Sequence, residues 1–145
     1  MRILIINGPS INLLGERQPD LYGSSSYQDL EITLQDFAND HTIECEVHQT
    51  NFEGIIIDLL HYAHQRKFDG VVLNAGAYTH YSYAIYDAIL AITPPVIEVH
   101  LTNPKEREEA FRHVSVIESA CRTSFVGKGF NSYLEALNYL LSELK

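Results

Sequence analysis

Tyr22, Arg17, Asn74, His80, Glu98 and His100 are the residues of this chain whose types and placement suit chemistry. A phenol, two imidazoles and a carboxylate can move or steer protons, while an arginine and an amide can hold oxygen atoms. The set fits acid/base work on a polar organic acid. Arg17 and Tyr22 share the long segment 7–23, in which Pro19 and the flanking glycines favour a turn that lets the two approach. A surface loop with a solvated arginine and a packed tyrosine would leave the same pattern. Asn74 and His80 bound the stretch Asn74-Ala75-Gly76-Ala77-Tyr78-Thr79-His80, where turn closure and helix capping are the plainer readings. Glu98 and His100 lie two apart, so on a strand they share a face. There a carboxylate fixes the tautomer of its imidazole, or simply forms a satisfied buried pair. The backbone N–H groups near Leu101 and Thr102, ahead of a helix expected from Pro104, suit a carboxylate ligand.

Other chemistries find little support. No G-x-x-x-x-G-K-[ST] loop is present, and Gly127-Lys128-Gly129 lacks the context of a dinucleotide fingerprint, so no nucleotide is expected. His61 and His64 lie on one predicted helix without a third ligand at recognisable spacing, which reads as a solvated face and not a metal site. Cys45 and Cys121 show neither metal spacing nor a nucleophile-like setting, and nothing requires a disulfide. Lys67, Lys105, Lys128 and Lys145 fall in helical or loop contexts, against a buried Schiff-base lysine.

The elements that must position these residues alternate. Continuous apolar runs at 3–6, 71–73 and 96–99 read as buried parallel strands, residues 43–47 alternate as an edge strand does, and 123–126 is a fifth. Between them run helical stripes: Tyr27, Leu30, Leu34, Phe37 and Ala38 behind a Ser26 cap; Ile56, Leu59, Leu60 and Ala63; a helix capped by Thr79 and running through Asp87; and Tyr133, Leu137, Leu140, Leu141 and Leu144 behind an Asn131 cap. Right-handed crossovers then give one domain over residues 1–145. It is an α/β, three-layer α/β/α sandwich with a five-stranded parallel sheet, most simply in the flavodoxin-like order 2-1-3-4-5. Ligands of such sheets bind outside the carboxyl ends of the strands, and the segments after strands one, three and four hold the residues named above.

Ten Lys and Arg against nineteen Asp and Glu leave a formal charge of −9. That field repels polyanions and argues against a nucleic-acid partner, while a local cluster of arginine and N–H groups can still hold a small anion. No apolar run is long enough to span a bilayer and no leader segment is read, so the expectation is a cytoplasmic protein with no membrane partner.

Over nearly the whole chain the sequence resembles the type II 3-dehydroquinate dehydratases. The resemblance rests on Asn7-Gly8-Pro9 with Asn12-Leu13-Leu14-Gly15, Arg17, Pro19 and Tyr22-Gly23; on Asn74-Ala75-Gly76-Ala77 with Thr79-His80; and on Ile97-Glu98-Val99-His100-Leu101-Thr102-Asn103. It implies a flavodoxin-like subunit in a homododecamer built from trimers. The implied reaction is dehydration of 3-dehydroquinate to 3-dehydroshikimate through an enolate, in the shikimate or quinate pathway, with no cofactor or metal. On the matching positions Tyr22 would take the C2 proton as a phenolate. A tyrosine of ordinary pKa near 10 is only about 0.1% ionised at pH 7, which gives Arg17 its part as the nearby cation. Asn12 would help hold the water or donor at the enolate oxygen, and His100, oriented by Glu98, would protonate the departing C1 hydroxyl. Asn74 with the Leu101 and Thr102 backbone would grip the carboxylate, His80 and Arg112 would bind ring hydroxyls, and Asp87 would reach a neighbouring subunit's substrate. The chain departs from the family pattern at Ser10, where Asn is usual, and at Tyr81, Tyr83 and Tyr86. Ala110 is an extra residue between the Glu pair and Phe111-Arg112. One residue turns an α-helix by about 100°, so Arg107 and Arg112 could not both keep their facing unless a bulge absorbed it. The Phe-Arg-His context favours Arg112, leaving Arg107 as an exposed helix residue paired with its Glu neighbours.

Overall fold

Aliphatic runs bounded by Gly, Asn or Pro form the middle of a five-stranded parallel sheet. The computed structural model describes residues 1–144, and of Tyr22 the backbone but not the side chain. The strands β1 (Arg2–Asn7), β2 (Glu44–Gln49), β3 (Gly70–Asn74), β4 (Val96–His100) and β5 (Thr123–Val126) pair in the order β2-β1-β3-β4-β5, the order expected from the sequence. β3 and β4 are buried along their whole length, whereas the edge strand β2 is partly exposed throughout.

Period-two alternation sorts the sheet's side chains onto two cores. Ile3, Ile5, Val72, Ile97 and Val99 pack beneath α2 (Tyr27–His41) and α5 (Phe130–Glu143). Leu4, Ile6, Val71, Leu73 and Val96 pack on the opposite face beneath α3 (Glu53–Gln65) and α4 (Tyr83–Ala91). A four-residue helix α1 (Pro19–Tyr22) interrupts the long connection after β1. Among the described residues no helix is long and apolar enough to cross a membrane.

α2 starts where its capping signal lies: the Asp29 N–H donates to Ser26 Oγ at 3.1 Å and the Ser26 N–H donates to Asp29 Oδ2 at 2.9 Å. Three expectations about helix starts are corrected. The stretch after β3 forms a 3₁₀ turn over Gly76–His80, and α4 begins later, capped by Ser82, whose Oγ accepts from the Ile85 N–H at 3.0 Å. Thr79 caps nothing; it is 1% exposed and its hydroxyl faces Glu98. α5 starts at Phe130 after Gly129, not behind an Asn131 cap. The segment from Pro104 is not an α-helix but two short 3₁₀ turns, Pro104–Glu106 and Ala110–His113, joined by extended backbone at Arg107 and Glu109.

The approach of β1 to β3 at their carboxyl ends requires a glycine. The Gly8 N–H donates to the Asn74 carbonyl at 2.8 Å, and a Cβ on Gly8 would sit 2.9 Å from backbone atoms of both Asn74 and Ala75. No flexible side chain is available there to yield. Gly8→Ala is expected to lose about 1–3 kcal/mol of stability, read as a lowered urea midpoint at unchanged m value.

Candidate active site at the carboxyl ends of β1, β3 and β4

β1, β3 and β4 are neighbours, so the segments leaving them converge on one crevice. Pro9, Ser10, Ile11 and Leu14 supply the wall after β1, and Arg17 closes it. Asn74, Gly76, Ala77 and His80 follow β3, while His100, Leu101 and Thr102 follow β4. Arg107 and Arg112 complete the lining of a cavity of about 190 Å³. Three cationic side chains around one cavity reverse locally the sign of a protein whose net charge is −9.

Glu98 and His100 share a face of β4, as their spacing requires. Glu98 is 2% exposed, and its Oε2 lies 2.9 Å from His100 Nε2. The same carboxylate accepts from Ser115 Oγ at 2.8 and 3.1 Å and from Thr79 Oγ1 at 3.4 Å. An ionised carboxylate offers only lone pairs, so the facing imidazole nitrogen must carry a hydrogen. Nε2 is thereby committed to Glu98, and Nδ1 is the nitrogen left for proton exchange.

His80 is held through its other nitrogen, Nδ1, which lies 2.8 Å from the Val114 carbonyl and donates to it. Burial is the main cause that lowers its pKa from the ordinary histidine value; the Val114 bond opposes the shift, and the His100 and Arg112 charges reinforce it. A neutral His80 with Nδ1 protonated presents Nε2 as an acceptor. Its ring meets the edge of Phe111 at 5.7 Å between centroids, and the Arg112 guanidinium lies 4.7 Å over that same Phe111 ring. Glu109 steadies Arg112 from outside, with Oε2 at 3.1 Å from Nε.

The expected site residues therefore divide. Arg17, Asn74, His80, His100, Leu101, Thr102 and Arg112 line the crevice together, with Glu98 behind His100. The structure does not bring Asn12 or Asp87 to it. Asn12 is exposed and borders a separate shallow depression with Gly15, Ser26 and Tyr27, and Asp87 is exposed on α4. Tyr22 ends α1, and its side chain lies outside the described residues. Arg107 is a correction: it is half-buried and lines the crevice with Arg112, because the chain there is not α-helical and the 100° argument has no purchase. Ser115 had no signal in the sequence; it stands far along the chain from Glu98 in no recognisable motif. His64 Nδ1 accepts from the Thr93 N–H at 3.2 Å, and among the described residues no group of three or more His, Cys, Asp or Glu could hold a metal ion.

A family model described as dehydroquinase class II matches residues 1–141. The chain is 50% identical over 143 residues to the 3-dehydroquinate dehydratase of Caldicellulosiruptor bescii, covering 99% of this chain and 97% of that one. It is 51% identical over 140 residues to the Bacillus licheniformis enzyme of the same name, covering 97% and 95%. Among solved structures, the type II dehydroquinase of Butyrivibrio crossotus superposes with a TM-score of 0.94 at 45% identity, covering 97% of each chain.

The His80 shift has a definite sign. Its folded pKa is below the unfolded one, so its stabilising contribution is complete above the ordinary histidine pKa and is lost as pH falls through the folded value. The imidazole of His80 is expected to titrate below the ordinary range by NMR. His80→Gln is expected to remove part of the stability loss seen as urea midpoints are followed downward through that interval.

Proposed function

This chain belongs to the class II dehydroquinase family and is a hydro-lyase that dehydrates 3-dehydroquinate in the shikimate pathway; on that footing we propose how its crevice does so. The observation that carries the reading is the His100 imidazole, anchored at Nε2 by Glu98 and lining the same cavity as Arg17, Asn74 and Arg112. An acid and a set of anion holders meet where a single small ring would sit.

Tyr22 is the base in this reading. As a phenolate kept by Arg17 it takes the C2 proton, and the C–H electron pair moves into the C3 carbonyl to give the enolate. Asn12, which the structure places outside the crevice, would act through a water at the enolate oxygen once the loop after β1 folds over bound substrate. When the enolate collapses, its electrons form the C1–C2 double bond and the C1–O bond breaks. His100, acting as the imidazolium, gives its Nδ1 proton to the departing hydroxyl, which leaves as water, while its Nε2–H stays on Glu98, which holds the ring in place throughout. Asn74 and the Leu101 and Thr102 backbone hold the substrate carboxylate, and His80 and Arg112 hold ring hydroxyls, with Arg107 as a second cation at the mouth. No cofactor or metal enters these steps.

The working unit is a homododecamer built from trimers, in which each chain is one domain over 1–145 and Asp87 serves a neighbour's site. An exposed Asp87 on α4 suits that role, and so do the exposed aromatics Tyr81 and Tyr83 beside it. The partners are the small-molecule substrate and other copies of the chain, with no nucleic acid or membrane, in the cytoplasm.

The test follows the absorbance of the conjugated enone carboxylate formed from 3-dehydroquinate. Tyr22→Phe is expected to lose about 10²- to 10⁴-fold in kcat while still binding substrate. Near-normal turnover would remove Tyr22 from the mechanism. Arg112→Ala is expected to raise KM by roughly 10- to 100-fold, as a lost charged hydrogen bond does, and Arg107→Ala by less. Sedimentation of the wild type should give the mass of twelve chains, and a stable monomer with full activity would refute the shared site.

A further inference from the structure

One fully buried hydroxyl has no part in these steps. Tyr133 on α5 is 0% exposed, and its ring belongs to the apolar stripe it forms with Ala136, Leu137 and Leu140. A phenylalanine would fill the same volume. A buried hydroxyl in such a place is tolerated only where its polar atoms are satisfied, and this one reaches the gap between two strand ends. It donates to Asn7 Oδ1 at 2.6 Å and accepts from Asn74 Nδ2 at 2.9 Å. Asn7 and Asn74 are register partners at the ends of β1 and β3, so the phenol bridges the strands at the edge of the crevice.

The direction of these bonds matters. A phenol has one hydrogen, and here it goes to Asn7 Oδ1; towards Asn74 only lone pairs remain. Asn74 must therefore turn its Nδ2, not its Oδ1, to Tyr133. At the other end of the amide, the Gly76 N–H can only donate, and it does so to Asn74 Oδ1 at 3.2 Å. Two independent partners thus fix the same orientation, and one Nδ2 hydrogen of Asn74 is left for the crevice. Burial raises the Tyr133 pKa far above the ordinary tyrosine value, so the phenol stays protonated over the working range.

We infer that Tyr133 is a positioning residue for substrate binding: its hydroxyl sets the Asn74 amide so that an N–H, not a carbonyl oxygen, is offered to a substrate oxygen. The inference rests on the reading of Asn74 as a substrate holder. Without the hydroxyl the amide loses one of its two orienting partners and can present the wrong atom to an anion.

The experiment is a double-mutant cycle of Tyr133→Phe and Asn74→Ala, with KM and kcat measured for each protein and urea unfolding run alongside. Tyr133→Phe is expected to raise KM about 3- to 10-fold, the scale of one neutral hydrogen bond, with kcat changed less than KM. In the Asn74→Ala background the same substitution should change KM by less than about twofold, because the residue it acts through is gone. Equal effects in both backgrounds, or no change in KM from Tyr133→Phe alone, would overturn the inference while leaving Asn74 in its role. An Asn74→Ala enzyme with unaltered KM would overturn that role and the inference with it. If Tyr133→Phe does not fold, Asn7→Ala tests the same point from the far end. The freed hydroxyl can then donate towards Asn74 and permit the flipped amide, so KM should rise; an unchanged KM would again count against the inference.

Discussion

A carboxylate buried to 2% exposure cannot be left short of donors, and most of the site follows from how Glu98 is supplied with them. Its donors come from separate pieces of the chain: His100 from β4 itself, Thr79 from the 3₁₀ turn after β3, and Ser115 from the segment that precedes β5. Removing one partner of such a buried charged group costs on the order of 3–5 kcal/mol, because the remaining charge is stranded. The penalty ties the three segments to one another. Each of them also carries a crevice residue or lies beside one.

The segment 104–117 shows what that tie accomplishes. It has no α-helix of its own to stiffen it, yet it holds both Arg107 and Arg112 against the crevice. Its far end is clasped by the Val114 carbonyl on His80 Nδ1 at 2.8 Å, the Val116 N–H on the Thr79 carbonyl at 2.8 Å, and Ser115 on Glu98. With that end fixed beside Arg112, Ala110 opens a 3₁₀ turn flanked by extended backbone. An irregular chain can absorb an insertion that a continuous helix could only convert into a rotation.

A second buried polar group lies at the neighbouring strand ends, where Gly8 allows close approach and Tyr133 bridges Asn7 and Asn74. The crevice floor is thus held by buried hydrogen bonds at two places, although Asn7 Nδ2 has no hydrogen-bond partner among the described residues, and the apolar cores beneath fix the strands that bear them. At Glu98 such a network specifies one arrangement of its members, since any other leaves a buried charge short of donors. The loop after β1 is built otherwise. It carries Asn12 on an exposed 3₁₀ turn, away from the crevice that Arg17 lines.

The sheet and its order were legible in the sequence because buried parallel strands need continuous aliphatic runs, and 3–6, 71–73 and 96–99 have them. The Ser26 cap and the Glu98–His100 pairing were legible too, each depending on residues three or two apart. Spacing could not reveal where Thr79, Ser115 and Tyr133 direct their hydroxyls. Thr79 reads locally as a cap and Tyr133 as one more apolar member of a helix face. Arg107 was misjudged because the charges of 105–112 suit a helix, while the backbone there answers to its clasp on Glu98 and His80. Local pattern determined the elements and the strand ends that bear the chemistry. The partners of the buried polar groups were decided only by tertiary structure, because satisfying a buried charge or hydroxyl depends on which distant segments the packed cores bring within hydrogen-bond reach.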